Sequence, residues 1–452
     1  MSQHNVEIQS FIDDHPFSRY QWLILALCFL TVALDGFDTA IIGFIATSLV
    51  QDWGIEKTAL GPVMSAALVG LAVGALSAGP LADRIGRKKV LVLSLALFGG
   101  FSLLTTFATS LSALTLLRFL TGLGLGAAMP NAATLMAEYA PQRRRALLVN
   151  LMFCGFPLGS SMGGFVSAWL IPHFGWQSVM VLGGVMPLLL ALVLIAALPE
   201  SARFMVVRGY PAERIAAVLR RIAPLNLGQP VRFTLTESGQ VKARSALGVI
   251  FSRRYLLGTL MLCLTYFMGL MIFYLLTSWL PLLIRETGAS IRQASLITAL
   301  FPLGGGIGVL IIGWLMDRMD PHKVVAVGYL LTGAFVCAIG YVYSHPLLMA
   351  ATVFIAGTCM NGAQSSMPAL AAGFYPTQGR ATGVAWMLGL GRFGGILGAM
   401  SGGVLMQMQL SFSTIFTLLA IPALVAALAL MVKHFSTRAS ALPGSFNKAL
   451  YP

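Results

Sequence analysis

Apolar stretches long enough to cross a lipid bilayer recur twelve times in this chain, and no other feature limits its fold so severely. A crossing takes about 20 mainly apolar residues, and such stretches lie at about 21–50, 58–82, 89–109, 111–137, 145–170, 176–198, 255–284, 291–316, 323–343, 346–373, 380–406 and 412–434. Hydrocarbon offers the backbone no hydrogen-bonding partner, so each stretch is expected to be a helix that bonds its own peptide groups. Loops within each set of six are short, and one long hydrophilic segment separates the two sets. The expected fold is an all-α polytopic membrane protein. It has a tail over 1–20, a six-helix bundle over 21–198, a central loop over 199–254, a second six-helix bundle over 255–434 and a tail over 435–452. Only 10% of residues are charged, against roughly 25% in soluble domains. That excludes a soluble enzyme, and the long apolar runs exclude a disordered chain.

The 29 Lys and Arg orient the spans. With the N-terminus inside, only Lys57, Arg285 and Arg292 fall in outer loops, and Arg118 and Arg392 fall within spans. The others lie on the inner side, as in Arg84-Ile-Gly-Arg87-Lys88-Lys89, Arg143-Arg144-Arg145 and the central loop, with Lys448 in the tail. Cytoplasmic loops carry this bias, so both termini and the central loop are expected in the cytoplasm, below a bacterial inner membrane. The net charge of +14 then meets an anionic membrane face rather than nucleic acid. Within Ala212–Ala223, Ile215, Leu219 and Ile222 share one helical face, which predicts a basic amphipathic helix lying on the inner membrane surface. Cys28, Cys154, Cys263, Cys337 and Cys359 sit in apolar stretches and read as small buried hydrophobes. The polar first twenty residues, followed by a full-length span, predict no cleaved signal peptide.

The two halves echo each other. Gly79-Pro-Leu-Ala-Asp83-Arg84-Ile-Gly86-Arg87-Lys88-Lys89 returns 234 residues later as Gly313-Trp-Leu-Met-Asp317-Arg318-Met-Asp320-Pro-His322-Lys323. Tyr139-Ala-Pro141 through Arg145 returns as Tyr375-Pro376 through Arg380. Two parallel six-helix repeats predict a transporter whose halves rock about a site near the midplane. Asp83, at the cytoplasmic end of a helix, suits the positive N-terminus of a facing helix and nearby arginines, and so a gating contact. Arg84, Arg87, Asp317, Arg318, His322 and Arg380 belong to the same candidate gates.

Ionisable residues inside a span cost roughly 2.5–3.5 kcal/mol each on insertion scales, so each is a functional candidate. Asp35 and Asp38, three apart on the first span, share one helix face. Two close carboxyls in a low dielectric favour one shared proton; the alternative is a static charge pair with Arg118. Arg392, midway through the eleventh span among Gly389, Gly391, Gly394 and Gly395, calls for an anion. A substrate carboxylate fits a guanidinium fork, and Asp35 or Asp38 across the pore is the other partner. Tyr266 and Trp386, with flat apolar faces, and Asn361 and Gln364, with amide groups, are further candidates to line a substrate site. The ladder Gly122-Leu-Gly124-Leu-Gly126, and Gly155-Phe-Pro157-Leu-Gly159 on the fifth span, read as helix packing.

The Gly-x-Leu-x-Asp-Arg-x-Gly-Arg-Lys loop, its degenerate second copy and the twelve spans resemble the major facilitator superfamily over nearly the whole chain. Pro199-Glu200-Ser201-Ala202-Arg203 resembles a sugar-porter signature with its second proline lost. Asp35-Gly36-Phe37-Asp38 and the Arg118 ladder, which runs into Pro130-Asn131 and Glu138, resemble the aromatic acid:proton symporters, as do Asp317, His322, Arg380 and Arg392. The resemblance implies a major facilitator fold and roles for Asp35, Asp38, Arg118 and Glu138 in proton coupling. It also implies that Asp83, Asp317, Arg380 and Arg392 matter for activity.

The expected function is proton-coupled import of a small aromatic carboxylate of the hydroxybenzoate type by a functional monomer. The partners are that substrate, protons and the lipid bilayer, with no nucleic acid. Other organic acids, such as muconate, quinate or a dicarboxylate, and a chemoreceptor for aromatic acids are the alternatives. The sequence carries no metal cluster, nucleophile–base pair or phosphate loop, so neither an enzyme activity nor a cofactor nor a metal is expected.

Overall fold

The computed structural model describes residues 4–225, 231–235, 248–375 and 377–441. Lys242, Arg244, Pro376, Lys448 and the tail beyond residue 441 lie outside them. Twelve helices among the described residues are long and apolar enough to cross a membrane. In order, the spans are Arg19–Trp53, Leu60–Ile85, Arg87–Thr105, Leu111–Tyr139, Gly155–Phe174, Trp176–Ala197, Leu256–Glu286, Ile291–Met316, Pro321–Ile339, Pro346–Phe374, Thr377–Gln407 and Phe412–Ala441. Leu76, Leu116, Leu192, Leu310, Leu347 and Leu428 are each more than half exposed. In water such surface costs about 25 cal/mol per Å²; against acyl chains the cost vanishes.

Local chemistry sets the helix ends. Ser18 Oγ accepts from Gln21 N at 3.2 Å while Ser18 N donates to Gln21 Oε1 at 2.8 Å, a reciprocal cap that starts the first span at Arg19. Gly86, at φ +101°, and Gly175, at φ +76°, turn the chain in single residues, where a side chain would be strained. The fifth span is preceded by a helix over Arg145–Phe153 and broken at Cys154. Pro157 has no N–H to offer the Phe153 carbonyl, which loosens the ladder at that turn.

Helices approach closely through glycine. A methyl group at Gly70 or Gly74 would overlap the carbonyl oxygens of Phe119 or Leu123, and one at Gly122 or Gly126 those of Ala67 or Leu71. The second and fourth spans therefore interlock. Gly159 lies equally close to Ala33 of the first span. The same joint recurs 234 residues on: Gly304 and Gly308 of the eighth span meet the carbonyls of Phe354 and Thr358 on the tenth. The sequence repeat is thus a repeat of packing, and the ladder glycines are packing residues.

The chain forms two compact units. The first comprises the described residues of Met1–Gln240, Thr277–Leu303 and Ala399–Met408; the second, those of Val241–Leu276, Gly304–Gly398 and Gln409–Pro452. The first unit so takes in the last turns of the seventh and eleventh spans and the first turns of the eighth. Within it Gly43 packs on the Thr277 and Ser278 carbonyls, and Lys57 Nζ lies 2.6 Å from Glu286 Oε1.

At one end of the first unit the N-terminal tail and central loop build a small cap. Strand β1 (His4–Glu7) pairs in parallel with β2 (Val231–Thr234), and a short helix over Ile8–Asp13 follows β1. The amphipathic segment is helical over Ala212–Leu219. Its Ile215 and Leu219 are buried with Ile8, Ile12, Met205 and Phe233. That corrects the membrane-surface expectation: the apolar face is covered by the protein's own tail and strand. Gln9 donates to the Ala140 carbonyl and accepts from Arg145, and Asp13 accepts from Gln142 N.

Packing this tight predicts that Gly74→Leu lowers thermal stability in detergent by about 1–3 kcal/mol, read as a fall in unfolding temperature. Gly100→Ala, where a methyl group meets nothing, should not lower the transition and should raise it slightly, since alanine favours a helix interior.

Candidate functional site

Midway along the first span, in the first unit, Asp35 and Asp38 are both buried, each 1% exposed. Gly36 between them packs directly on the Phe156 backbone, which fixes the rotation of the helix that carries them. Asp38 Oδ1 accepts from Arg118 Nη2 at 3.1 Å and from Ser102 Oγ at 3.2 Å. Asp35 Oδ1 accepts from Thr39 Oγ1 at 3.4 Å. The two carboxyls thus have different surroundings. Asp38 answers the Arg118 charge, and a buried pair of this kind holds only while both partners remain. Asp35 is bonded by a hydroxyl, which donates to a carboxylate or accepts from a carboxylic acid with little rearrangement. Such a site can take and release a proton.

A second cluster lies where the second span ends and the third begins in the same unit. Arg87 Nη2 lies 3.2 Å from Asp83 Oδ1, and its Nε lies 3.5 Å from Glu138 Oε1. Glu138 therefore sits with the Asp83–Arg87 loop rather than beside Asp35 and Asp38. Glu200 of the Pro-Glu-Ser segment accepts from Lys88 N at 3.1 Å and from Ser201 N at 2.9 Å. Its carboxylate caps the positive N-terminus of the third span, in space that only a glycine at position 86 leaves open. Tyr139 Oη donates to the Glu200 carbonyl at 2.5 Å, and Arg208 donates to the Asp83 and Arg84 carbonyls. Arg87 and Arg208 both lie over the Phe204 ring. Glu200 is a residue that sequence reading used only as part of a signature; a lone acid just past a span was its signal.

The second-half copy is built differently. Asp320, standing where the first copy has Gly86, caps the ninth span itself by accepting from His322 N at 3.0 Å and Lys323 N at 3.4 Å. Partial burial pushes the Asp320 carboxyl up, but the His322 and Lys323 N–H groups and the neighbouring imidazoles outweigh it and hold it below the usual range. His322 Nδ1 and His434 Nδ1 lie 3.5 and 3.6 Å from its oxygens, and Lys433 Nζ lies 2.6 Å from His322 Nε2 and 4.2 Å from the Phe374 ring. Asp320, His322 and His434 carry donor types that suit a divalent cation. The Lys433 ammonium already takes the His322 lone pair, so the cluster fits a charge lock better than a metal. Asp317 and Arg380 are exposed, and Arg318 lies over the Trp314 ring at 4.0 Å.

In the second unit Tyr266, Gln364 and Arg392 come together from three spans. The Tyr266 ring packs where a side chain at Gly391, the chain neighbour of Arg392, would stand. Gln364 Nε2 donates to the Tyr266 carbonyl at 3.4 Å, and Tyr329 Oη donates to Gln364 Oε1 at 2.6 Å. A guanidinium, a phenol ring and an amide are the groups that hold a carboxylate, an aromatic ring and a ring substituent. Trp386 does not join them: it is 41% exposed and meets Phe251 edge-on at 5.3 Å. Asn361 donates back to the Gly357 carbonyl and packs against Gly305. Sequence reading missed Tyr329, although a tyrosine inside a span always needs a partner for its hydroxyl.

The family model described as Major Facilitator Superfamily matches residues 28–288 and 262–448. The chain is 56% identical to the 4-hydroxybenzoate transporter PcaK of Pseudomonas putida, over 97% of this chain and 98% of that one. It is 50% identical to a gallate transporter of Pseudomonas putida, over 96% and 97%, and 33% identical to a benzoate transport protein of Acinetobacter baylyi, over 93% and 91%. Among solved structures it is similar to a D-xylose–proton symporter, with a TM-score of 0.69, 17% identity and coverage of 91% and 97%. A bacterial homologue of the lysosomal transporter Spinster gives 0.66 at 19% identity, over 94% and 97%. These likenesses show the fold.

The buried Asp38–Arg118 pair predicts that Asp38→Asn alone destabilises the chain by about 3–5 kcal/mol. Asp38→Asn combined with Arg118→Gln should recover part of that loss, read from unfolding temperatures in a double-mutant cycle. Additive losses would show that the pair is not coupled.

Proposed function

Since this chain belongs to the major facilitator superfamily, we propose that it works by alternating access, coupling the entry of a small aromatic carboxylate to the entry of a proton. The protein is a multi-pass membrane transporter and not an enzyme, and it carries hydroxybenzoate-type acids, as its relatives at 50–56% identity do by name. One observation supports the substrate reading above all: Arg392, Tyr266 and Gln364 converge in one unit. A carboxylate bonds the Arg392 fork, the ring packs on Tyr266, and a ring oxygen reaches Gln364.

The Asp35 carboxyl takes the proton, with Thr39 bonding it in either state. Arg118 and Asp38 keep the surroundings neutral overall, so loading one proton changes the charge of the site by one. The Asp83–Arg87–Glu138 network and the Asp320–His322–Lys433 cluster hold the two inner gating loops, and their rearrangement accompanies opening to the cytoplasm. The distribution of Lys and Arg supports a bacterial inner membrane with both termini inside. The working form in this reading is a monomer.

Reconstituted protein is expected to accumulate labelled 4-hydroxybenzoate when an inward proton gradient is imposed. Asp35→Asn should abolish accumulation while leaving substrate exchange across the membrane in place. Accumulation that survives in Asp35→Asn would overturn the coupling site. Arg392→Gln should raise the half-saturating concentration by about 10–100-fold, the loss of about 1.5–3 kcal/mol for a hydrogen bond to a charged group. An unchanged value would remove Arg392 from the carboxylate site.

A further inference from the structure

Tyr329 lies on the ninth span, fully buried, and its hydroxyl reaches the side chain of Gln364 on the tenth. The bond passes over Gly269 of the seventh span, where a methyl group would overlap Gln364 Oε1 and come within 2.7 Å of Tyr329 Oη. Three spans therefore share one hydrogen bond, and a side chain at position 269 would break it. The direction of that bond follows from its surroundings. The Tyr266 carbonyl, 3.4 Å from Gln364 Nε2, can only accept, so the amide must turn its NH2 toward Tyr266 and its oxygen toward Tyr329. Tyr329 then has to donate. Turned the other way, the amide would set two oxygens against each other beside Tyr266, in a buried site where such a mismatch is expensive.

We infer that Tyr329 is a positioning residue that anchors the Gln364 side chain by its amide oxygen, so that the NH2 oriented by the Tyr266 carbonyl is held as a hydrogen-bond donor, which makes the site selective for benzoates bearing a ring oxygen. The inference rests on the proposed aromatic-acid reading of the Tyr266–Gln364–Arg392 group. The Gln364 NH2 faces the Tyr266 carbonyl, and that bond is long. A phenolic oxygen accepts from that N–H. Benzoate leaves it without a ligand partner, and an aromatic amine, whose nitrogen is a poor acceptor, meets it donor to donor. Discrimination of this kind arises because a site built to bond a substituent is left unpaired by the analogue that lacks it.

Uptake kinetics in proteoliposomes test it, with 4-hydroxybenzoate, benzoate and 4-aminobenzoate as substrates. Tyr329→Phe removes the anchor of the amide oxygen and lets the Gln364 side chain shift. The expected result is a KM for 4-hydroxybenzoate raised about 5–30-fold, the loss of one buried hydrogen bond. The KM values for benzoate and 4-aminobenzoate, neither of which accepts from the Gln364 N–H, should stay within about twofold, with kcat unchanged for all three. Gln364→Met, which keeps the volume and deletes the donor, should equalise 4-hydroxybenzoate and benzoate; it carries the test if Tyr329→Phe does not reach the membrane. An equal rise for every substrate, or no change in their ratio, would overturn the role of Tyr329. A wild-type protein that moves none of the three acids would instead sink the aromatic-acid reading itself.

Discussion

Inside hydrocarbon no water reaches the backbone, so every peptide N–H and C=O of a crossing segment must be bonded within the segment or to a neighbour. Everything else in this protein follows from that constraint. It makes the twelve spans helical, and it removes the hydrophobic drive that would otherwise press them together, because lipid is as apolar as leucine. Association then relies on close contact. Glycine supplies it, at Gly70, Gly74, Gly122 and Gly126 in the first half and at Gly304 and Gly308 in the second. Where backbones lie so near, a helix can neither rotate nor slide, and the few polar side chains inside the spans are held where they stand.

Those few polar groups sort into three places with different chemistry. Near the middle of the first span a carboxyl paired with a guanidinium stands beside a carboxyl bonded by a hydroxyl. At the inner ends, charges are shared among loops, caps and arginines that also contact water. In the second unit one guanidinium stands with aromatic rings and an amide. The division is physical. A charge group far from water needs a fixed partner, whereas a loop network in partial contact with water can exchange partners at small cost.

The repeat shows how duplicated parts diverge. In the first copy Gly86 makes room for Glu200 to cap the third span from outside; in the second, Asp320 occupies the same place and caps its own helix. One residue thereby replaces a contact that otherwise needs the central loop. The loss of that glycine stands out in the sequence. Its consequence does not, because the capping carboxylate of the first copy comes from a segment 112 residues away.

Much of the fold was legible from the chain alone. Apolar length, charge bias and the 234-residue echo rest on properties of consecutive residues, and these mark the spans, their direction and the duplication. The pairing of Asp35 and Asp38 on one face was legible for the same reason. Which of them meets Arg118, that Glu138 belongs with Arg87, that Trp386 stands apart from Arg392 and that Tyr329 joins Gln364 were not. Nor was the burial of the Ile215–Leu219 face under the N-terminal tail, since an apolar helical face is the same in sequence whether lipid or protein covers it. Sequence determined the period, the length and the sign of each segment. Tertiary structure alone decided partnership, because a hydrogen bond between helices depends on their relative rotation, and glycine contacts far apart in the chain set that rotation.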